Sequence, residues 1–141
     1  MIINYYCYRG LFTPLHSSPL VSYQTTGSVS GDIFFNGFER TAGFVKRTAY
    51  VQQDNVHYAM LTVLQTVTFA AELRLDNTKF TPEMKKARVD EVIRMMGLEV
   101  VANSLVGNVS IRGLSGGQLR RLTIAVELVH LPSVMFFDEP T

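Results

Sequence analysis

With 141 residues, 47% of them apolar and 18% charged, the chain has the composition of one globular domain. Lysine and arginine total 13 against 12 aspartate and glutamate, a balance that leaves no net field to draw the chain onto nucleic acid or an anionic membrane surface. A single cysteine, Cys7, cannot make an internal disulfide and has no cysteine or histidine at metal-ligand spacing, which fits a reducing compartment.

Residues 1–24 form an unassigned segment in which Tyr5, Tyr6 and Tyr8 cluster before a loop-like run with Pro14, Ser17, Ser18 and Pro19; no chemistry is legible there. Asn4 and Arg9 interrupt its apolar residues and no basic leader precedes them, so it is not read as a secretory signal. From Gly31 the run Asp32-Ile33-Phe34-Phe35 predicts a short strand that meets a turn at Asn36-Gly37, and a second strand is expected from Arg47 to Gln52. Thr62-Val63-Leu64-Gln65 has the spacing of a capping box and predicts a helix to about Leu73. The most apolar stretch, Leu61 to Ala71, is broken by Gln65, Thr66 and Thr68, so no membrane span is expected and the chain is read as facing the cytosol.

Thr81-Pro82-Glu83 opens a second helix with proline at its first position. Val89, Val92, Ile93 and Met96 then fall on one apolar stripe, and Gly97 supplies a left-handed cap. Ser115-Gly116-Gly117-Gln118 repeats the capping-box spacing and starts a third helix, expected to run to about Val129, beyond which Pro132 forbids continuation. The apolar run Val134-Met135-Phe136-Phe137 reads as a strand buried on both faces that ends in Asp138-Glu139. His16, His57 and His130 are scattered and read as ordinary solvated or packed histidines.

Three features carry chemistry. At the third helix start, Gly116 and Gly117 lack the Cβ atoms that hold a ligand away, while first-turn amides and roughly half a positive elementary charge of helix dipole face outward, a fit for phosphate. Taken alone, the serine and glycines suffice only for a helix cap worth about 1 kcal/mol. The acids Asp138 and Glu139 stand at a strand's C-terminal end, where open α/β sheets bind ligands; there Asp138 would hold Mg²⁺ and Glu139 would orient or deprotonate an attacking water. An isolated acid pair at a strand end is also common as a solvated one. Gln53, after the second strand, carries a neutral amide able to reach a metal or water and to swing away without moving charge.

From about Thr25 to Thr141 the chain resembles the nucleotide-binding domain of an ATP-binding cassette (ABC) transporter, and is most similar to the G subfamily of white and pleiotropic-drug-resistance type. The resemblance is carried by Gly31-Asp32-Ile33-Phe34-Phe35-Asn36-Gly37, Tyr50-Val51-Gln52-Gln53-Asp54, Leu61-Thr62-Val63 and Phe69-Ala70-Ala71-Glu72-Leu73-Arg74-Leu75. It continues through Val106-Gly107, Ile111-Arg112-Gly113-Leu114-Ser115-Gly116-Gly117-Gln118, Arg120-Arg121-Leu122-Thr123-Ile124-Ala125, Glu127-Leu128 and Phe137-Asp138-Glu139-Pro140-Thr141.

The resemblance implies an α/β fold: a partial P-loop-type ATPase domain over residues 25–141, with a small β piece, a helical subdomain, and the signature helix leading into the Walker B strand. It also implies ATP and Mg²⁺ as cofactors. Gln53 resembles the Q-loop glutamine, Ser115, Gly116, Gly117 and Gln118 the signature motif, Asp138 the Walker B metal ligand, and Glu139 the catalytic glutamate. The partners implied are a second cassette in a head-to-tail dimer and the transmembrane domains of a transporter, placing the chain at the cytoplasmic face of a membrane.

The sequence departs from the family in containing no G-x-x-x-x-G-K-[ST] phosphate loop, D-loop or switch histidine. Hydrolysis by this polypeptide alone is therefore not expected. Two other readings are a non-catalytic interaction module that donates a signature motif to an intact cassette, and a gene-model fragment with residues 1–24 foreign to the domain. Without the strand that leads into a phosphate loop, the Val134–Phe137 strand is expected to lack a neighbour for its edges, giving marginal stability and a tendency to aggregate.

Overall fold

The computed structural model describes residues 4–7, 34–35, 38–39, 43 and 46–137. The chain divides into two compact units, Met1–Gln53 together with Pro132–Thr141, and Asp54–Leu131.

The first unit holds β1 (Asn4–Cys7), β2 (Phe34–Phe35), β3 (Phe38–Glu39), β4 (Thr48–Val51) and β5 (Val134–Phe137). β2 and β3 pair antiparallel, Phe35 opposite Phe38, with Asn36 and Gly37 between them in sequence where the turn is expected. Asp32 and Ile33 lie outside the described residues. β4 does not join this hairpin. It pairs in parallel with β5, Thr48 opposite Val134 and Val51 opposite Phe137, and the pairing begins where Arg47 O accepts the Ser133 N–H at 2.7 Å.

On its other edge β5 pairs in parallel with β1, Asn4 opposite Val134 and Cys7 opposite Phe137, so the sheet order is β1-β5-β4. The expectation that β5 lacks a neighbour is thereby overturned: both its edges are hydrogen-bonded, one of them by a strand from the segment in which the sequence shows no function. Successive residues of a strand face opposite sides, and Val134 and Met135 are 1% and 0% exposed, so both faces are covered at the start of β5. Phe136 and Phe137 are only half-buried, which limits the expected two-sided burial to the strand's first half.

The second unit is built on α1 (Val63–Arg74), α2 (Pro82–Met95) and α3 (Gly116–Leu128), with a single 3-10 turn at Glu99–Val101. The capping box at α1 forms: Thr62 Oγ1 accepts the Gln65 N–H at 3.2 Å, and Gln65 Oε1 accepts the Thr62 N–H at 2.9 Å. α2 starts on Thr81, whose hydroxyl accepts the Met84 N–H at 3.3 Å, and Gly97 takes φ +60°, the left-handed conformation expected of it. Val89, Val92 and Ile93 of the stripe are buried, and Met96 is half-buried.

α1 packs on both α2 and α3. The shared core contains Val63, Val67 and Ala71 of α1, Val89 and Val92 of α2, Leu98, and Leu122, Ala125 and Leu128 of α3. Each fully buried valine or leucine contributes about 1.5–3 kcal/mol of hydrophobic stabilisation before chain entropy is counted.

Two cations occupy stripe positions of α2, and each is buried with its donors satisfied. Lys85 Nζ donates to Glu72 Oε2 at 2.7 Å and to Asn77 Oδ1 at 2.6 Å, tying α2 to the end of α1. Arg88 reaches the C-terminus of α3, donating from Nη2 to Leu128 O at 2.8 Å and from Nε to Val129 O at 3.3 Å, with Nη1 on Glu91 Oε2 at 2.7 Å. Its charge sits where the helix dipole is negative and the last carbonyls lack helical partners.

Candidate functional site

The approach to α3 is a closed loop. Leu114 N–H donates to Val106 O at 3.0 Å, and Asn108 Oδ1 accepts the N–H groups of Ser110 and Ile111, each at 2.9 Å. Two glycines permit the closure: Gly107 has φ +74°, and a Cβ on Gly113 would collide with Val106 O. The loop therefore delivers Leu114 and Ser115 to the helix start from a position set by backbone contact.

At the start itself, Ser115 Oγ accepts the Gln118 N–H at 3.3 Å and Gln118 Oε1 accepts the Ser115 N–H at 2.9 Å. That places the expected capping box and brings Ser115, Gly116, Gly117 and Gln118 together in one exposed to half-exposed turn. The N–H groups of Gly116 and Gly117 have no partner among the described residues, and a Cβ built on either meets nothing within 4 Å.

The start of α1 differs. There the first two amides are consumed, Val63 N–H by Ser104 O at 3.2 Å and Leu64 N–H by Ala102 O at 2.9 Å. α2 begins with Pro82, which has no N–H to offer. Among the described helices only α3 leaves two adjacent donors facing open space, and exposed backbone donors at a helix N-terminus favour an anion.

α3 is held from several directions. Arg74 of α1 forms a bidentate pair with Glu127, at 2.7 and 2.8 Å. Arg121 Nη1 donates to Met96 O at 3.0 Å and Gly97 O at 3.2 Å beyond the end of α2. Thr123 meets His57 and Asn55: its oxygen lies 2.8 Å from His57 Nε2, and its hydroxyl donates to Asn55 Oδ1, also at 2.8 Å. His57 is half-buried, and desolvation pushes its pKa below the ordinary 6.5. The sequence reading of His57 as an ordinary solvated or packed histidine omits this link, and gives no role to Asn55 or Thr123. For Lys85 and Arg88 a signal did exist, because a cation on an apolar stripe requires a partner.

The remaining candidates belong to the first unit. Gln53 is exposed, two residues beyond the end of β4. β4 and β5 end in the same row, Val51 opposite Phe137; the next residue in sequence is Gln52 on one and Asp138 on the other. Asp138 and Glu139 lie outside the described residues. Among the described residues no group of three or more histidine, cysteine or acidic side chains forms a metal centre, and no helix is long and apolar enough to cross a membrane.

Residues 20–141 match the family model described as ABC transporter. The chain belongs to the ABC transporter family. Family membership implies a P-loop-type ATPase fold, with which the helices and the small parallel sheet agree. Similar proteins include the ABC transporter G family member STR2 of Petunia hybrida, 43% identical over 81% of this chain and 16% of that protein. The broad substrate specificity ATP-binding cassette transporter ABCG2 of Bos taurus is 46% identical over 80% of this chain and 17% of its own length. The ABC transporter G family member 5 of Oryza sativa subsp. japonica is 44% identical over 81% of this chain and 14% of its own. The similarity thus identifies a G-type ATP-binding cassette, and the chain spans only about one sixth of the length of these relatives.

Proposed function

We propose that the chain is the signature-bearing part of an ATP-binding cassette that drives transport by a G-type ABC transporter, and that its α3 tip binds a triphosphate held by a second cassette in a head-to-tail pair. The observation that carries this is the pair of open amides at Gly116 and Gly117, set against the consumed first-turn amides of α1. Two donors with no Cβ beside them, at the positive end of a helix dipole, can hold a phosphate oxygen without a cation. Ser115 adds a donor: its oxygen accepts from Gln118, so its own proton is free to point at the ligand. The amide NH₂ of Gln118 is oriented in turn by the bond from Ser115 N–H to its Oε1.

ATP with Mg²⁺ supplies the phosphoanhydride whose cleavage such a cassette uses. Gln53, Asp138 and Glu139 are assigned to a nucleotide held by the chain's own half: Asp138 to hold the metal, Glu139 to orient the attacking water, and Gln53 to reach metal or water with its amide. The 141 residues contain no G-x-x-x-x-G-K-[ST] loop, but a tip that works on the partner's nucleotide requires none in this sequence. In this reading the partners are a second cassette and transmembrane domains, with the chain at the cytoplasmic face of the membrane.

The test adds this chain to a G-type cassette that carries its own phosphate loop and measures ATP hydrolysis. Stimulation by the wild-type chain, abolished by Ser115→Arg in a variant whose circular dichroism is unchanged, is the expected result. No stimulation by the wild-type chain would end the proposal.

A further inference from the structure

We infer that Thr123 is a positioning residue for the signature tip, and that with Asn55 and His57 it clamps the segment that follows Gln53 onto helix α3. The inference rests on the function proposed for that tip. Asn55 and His57 are separated in sequence from Thr123 by 68 and 66 residues, so these bonds join two parts of the chain that no local rule brings together.

The donors can be assigned. Thr123 has one hydroxyl proton and two acceptors within reach, Asn55 Oδ1 at 2.8 Å and Leu119 O at 3.1 Å. Both are acceptors only, so the third contact, His57 Nε2 at 2.8 Å, must donate to the Thr123 oxygen from an Nε2–H. Asn55 Oδ1 also lies 3.5 Å from Arg120 Nη1, a long contact consistent with this orientation of the amide. The cluster therefore runs His57 to Thr123 to Asn55, with one hydroxyl at its centre.

Its place on the helix explains why it governs the tip. Leu122, Ala125 and Leu128 form the buried face of α3, and because apolar contact is non-directional, rotation about the helix axis is set by polar bonds: Arg74 to Glu127, Arg121 to Met96 O and Gly97 O, and the Thr123 cluster. At 3.6 residues per turn Thr123 lies on the side away from that stripe, so its directional bonds hold the helix from the opposite flank. Ser115 lies eight residues before Thr123, about 12 Å along a rigid helix, and a rotation permitted at Thr123 is carried to the amides of Gly116 and Gly117. Asn55 stands two residues after Gln53, so the same bonds anchor the chain just beyond that glutamine.

Thr123→Val keeps the shape and removes the hub; Thr123→Ser keeps the hydroxyl; Asn55→Ala removes one arm. Hydrogen exchange on the full chain is followed separately in residues 54–58, at the start of α3 and in α2. Thr123→Val is expected to speed exchange about tenfold in the first two regions, with α2 unchanged, and Thr123→Ser to restore it. Asn55→Ala should reproduce the pattern in weaker form. In the stimulated ATPase assay Thr123→Val should raise the apparent KM for ATP and leave kcat in place, again with rescue by serine. Uniformly faster exchange in all three regions would mean a purely structural residue, and no change in any would mean no clamp; either overturns the inference. Failure of the wild-type chain to stimulate its partner strikes the signature reading instead, and the exchange pattern then decides the clamp by itself.

Discussion

Replacing Arg88 by methionine tests how the end of α3 is secured. The aliphatic part of the side chain is retained while the guanidinium is lost, and with it the donors to Leu128 O and Val129 O. Arg88 is 8% exposed and Leu128 O keeps the Leu131 N–H at 3.1 Å, so the cost is that of two buried bonds from a charged donor with one acceptor still paired, about 1–3 kcal/mol. Loss of a partly buried cation at a helix C-terminus adds up to about 2 kcal/mol. The contact with Glu91 is discounted, because that carboxylate is 56% exposed and its loss is cushioned by water. The total is about 1–5 kcal/mol, a large part of the roughly 5–15 kcal/mol that holds a domain of this size. Urea unfolding followed by circular dichroism should show a midpoint shift of that size at constant slope. Lysine at the same position, with a single ammonium, should recover part of it. A variant within about 0.5 kcal/mol of wild type would refute the claim that Arg88 caps α3, since that is the range of an ordinary surface change.

Two further outcomes follow from other parts of the molecule. Because burial holds His57 below its ordinary pKa of 6.5, the unfolded chain takes up its proton first as the pH falls. His57 therefore costs no stability above that value, an increasing amount as the pH drops from it towards the folded pKa, and a constant amount below; His57→Gln should flatten the stability profile in this window, and an unchanged profile would contradict the assignment. Deleting residues 1–9 removes β1 and leaves one edge of β5 unpaired, so the truncated chain should form larger species in size-exclusion chromatography; a monomer of unaltered melting temperature would show that β1 is dispensable.

Local rules made the helix starts legible. Thr62 with Gln65, and Ser115 with Gln118, complete their bonds within four residues, so residue type and spacing alone determine them, as they do Pro82 at a first turn and Gly97 with φ +60°. The candidate tip belongs to this class, which is why its four residues could be named from the sequence and why the family was recognisable there.

What the sequence by itself determined was the location of α1, α2 and α3, the apolar run of β5, and the capped glycine turn that opens α3. Only the tertiary structure decided what lies beside them: β1 along the edge of β5, Arg88 at the end of α3, and Thr123 between Asn55 and His57. Strand pairing uses backbone groups that every residue carries, so the sequence of β1 holds no mark of its neighbour. A threonine hydroxyl or an asparagine amide is equally satisfied by water, and only folding brings together partners from distant parts of the chain.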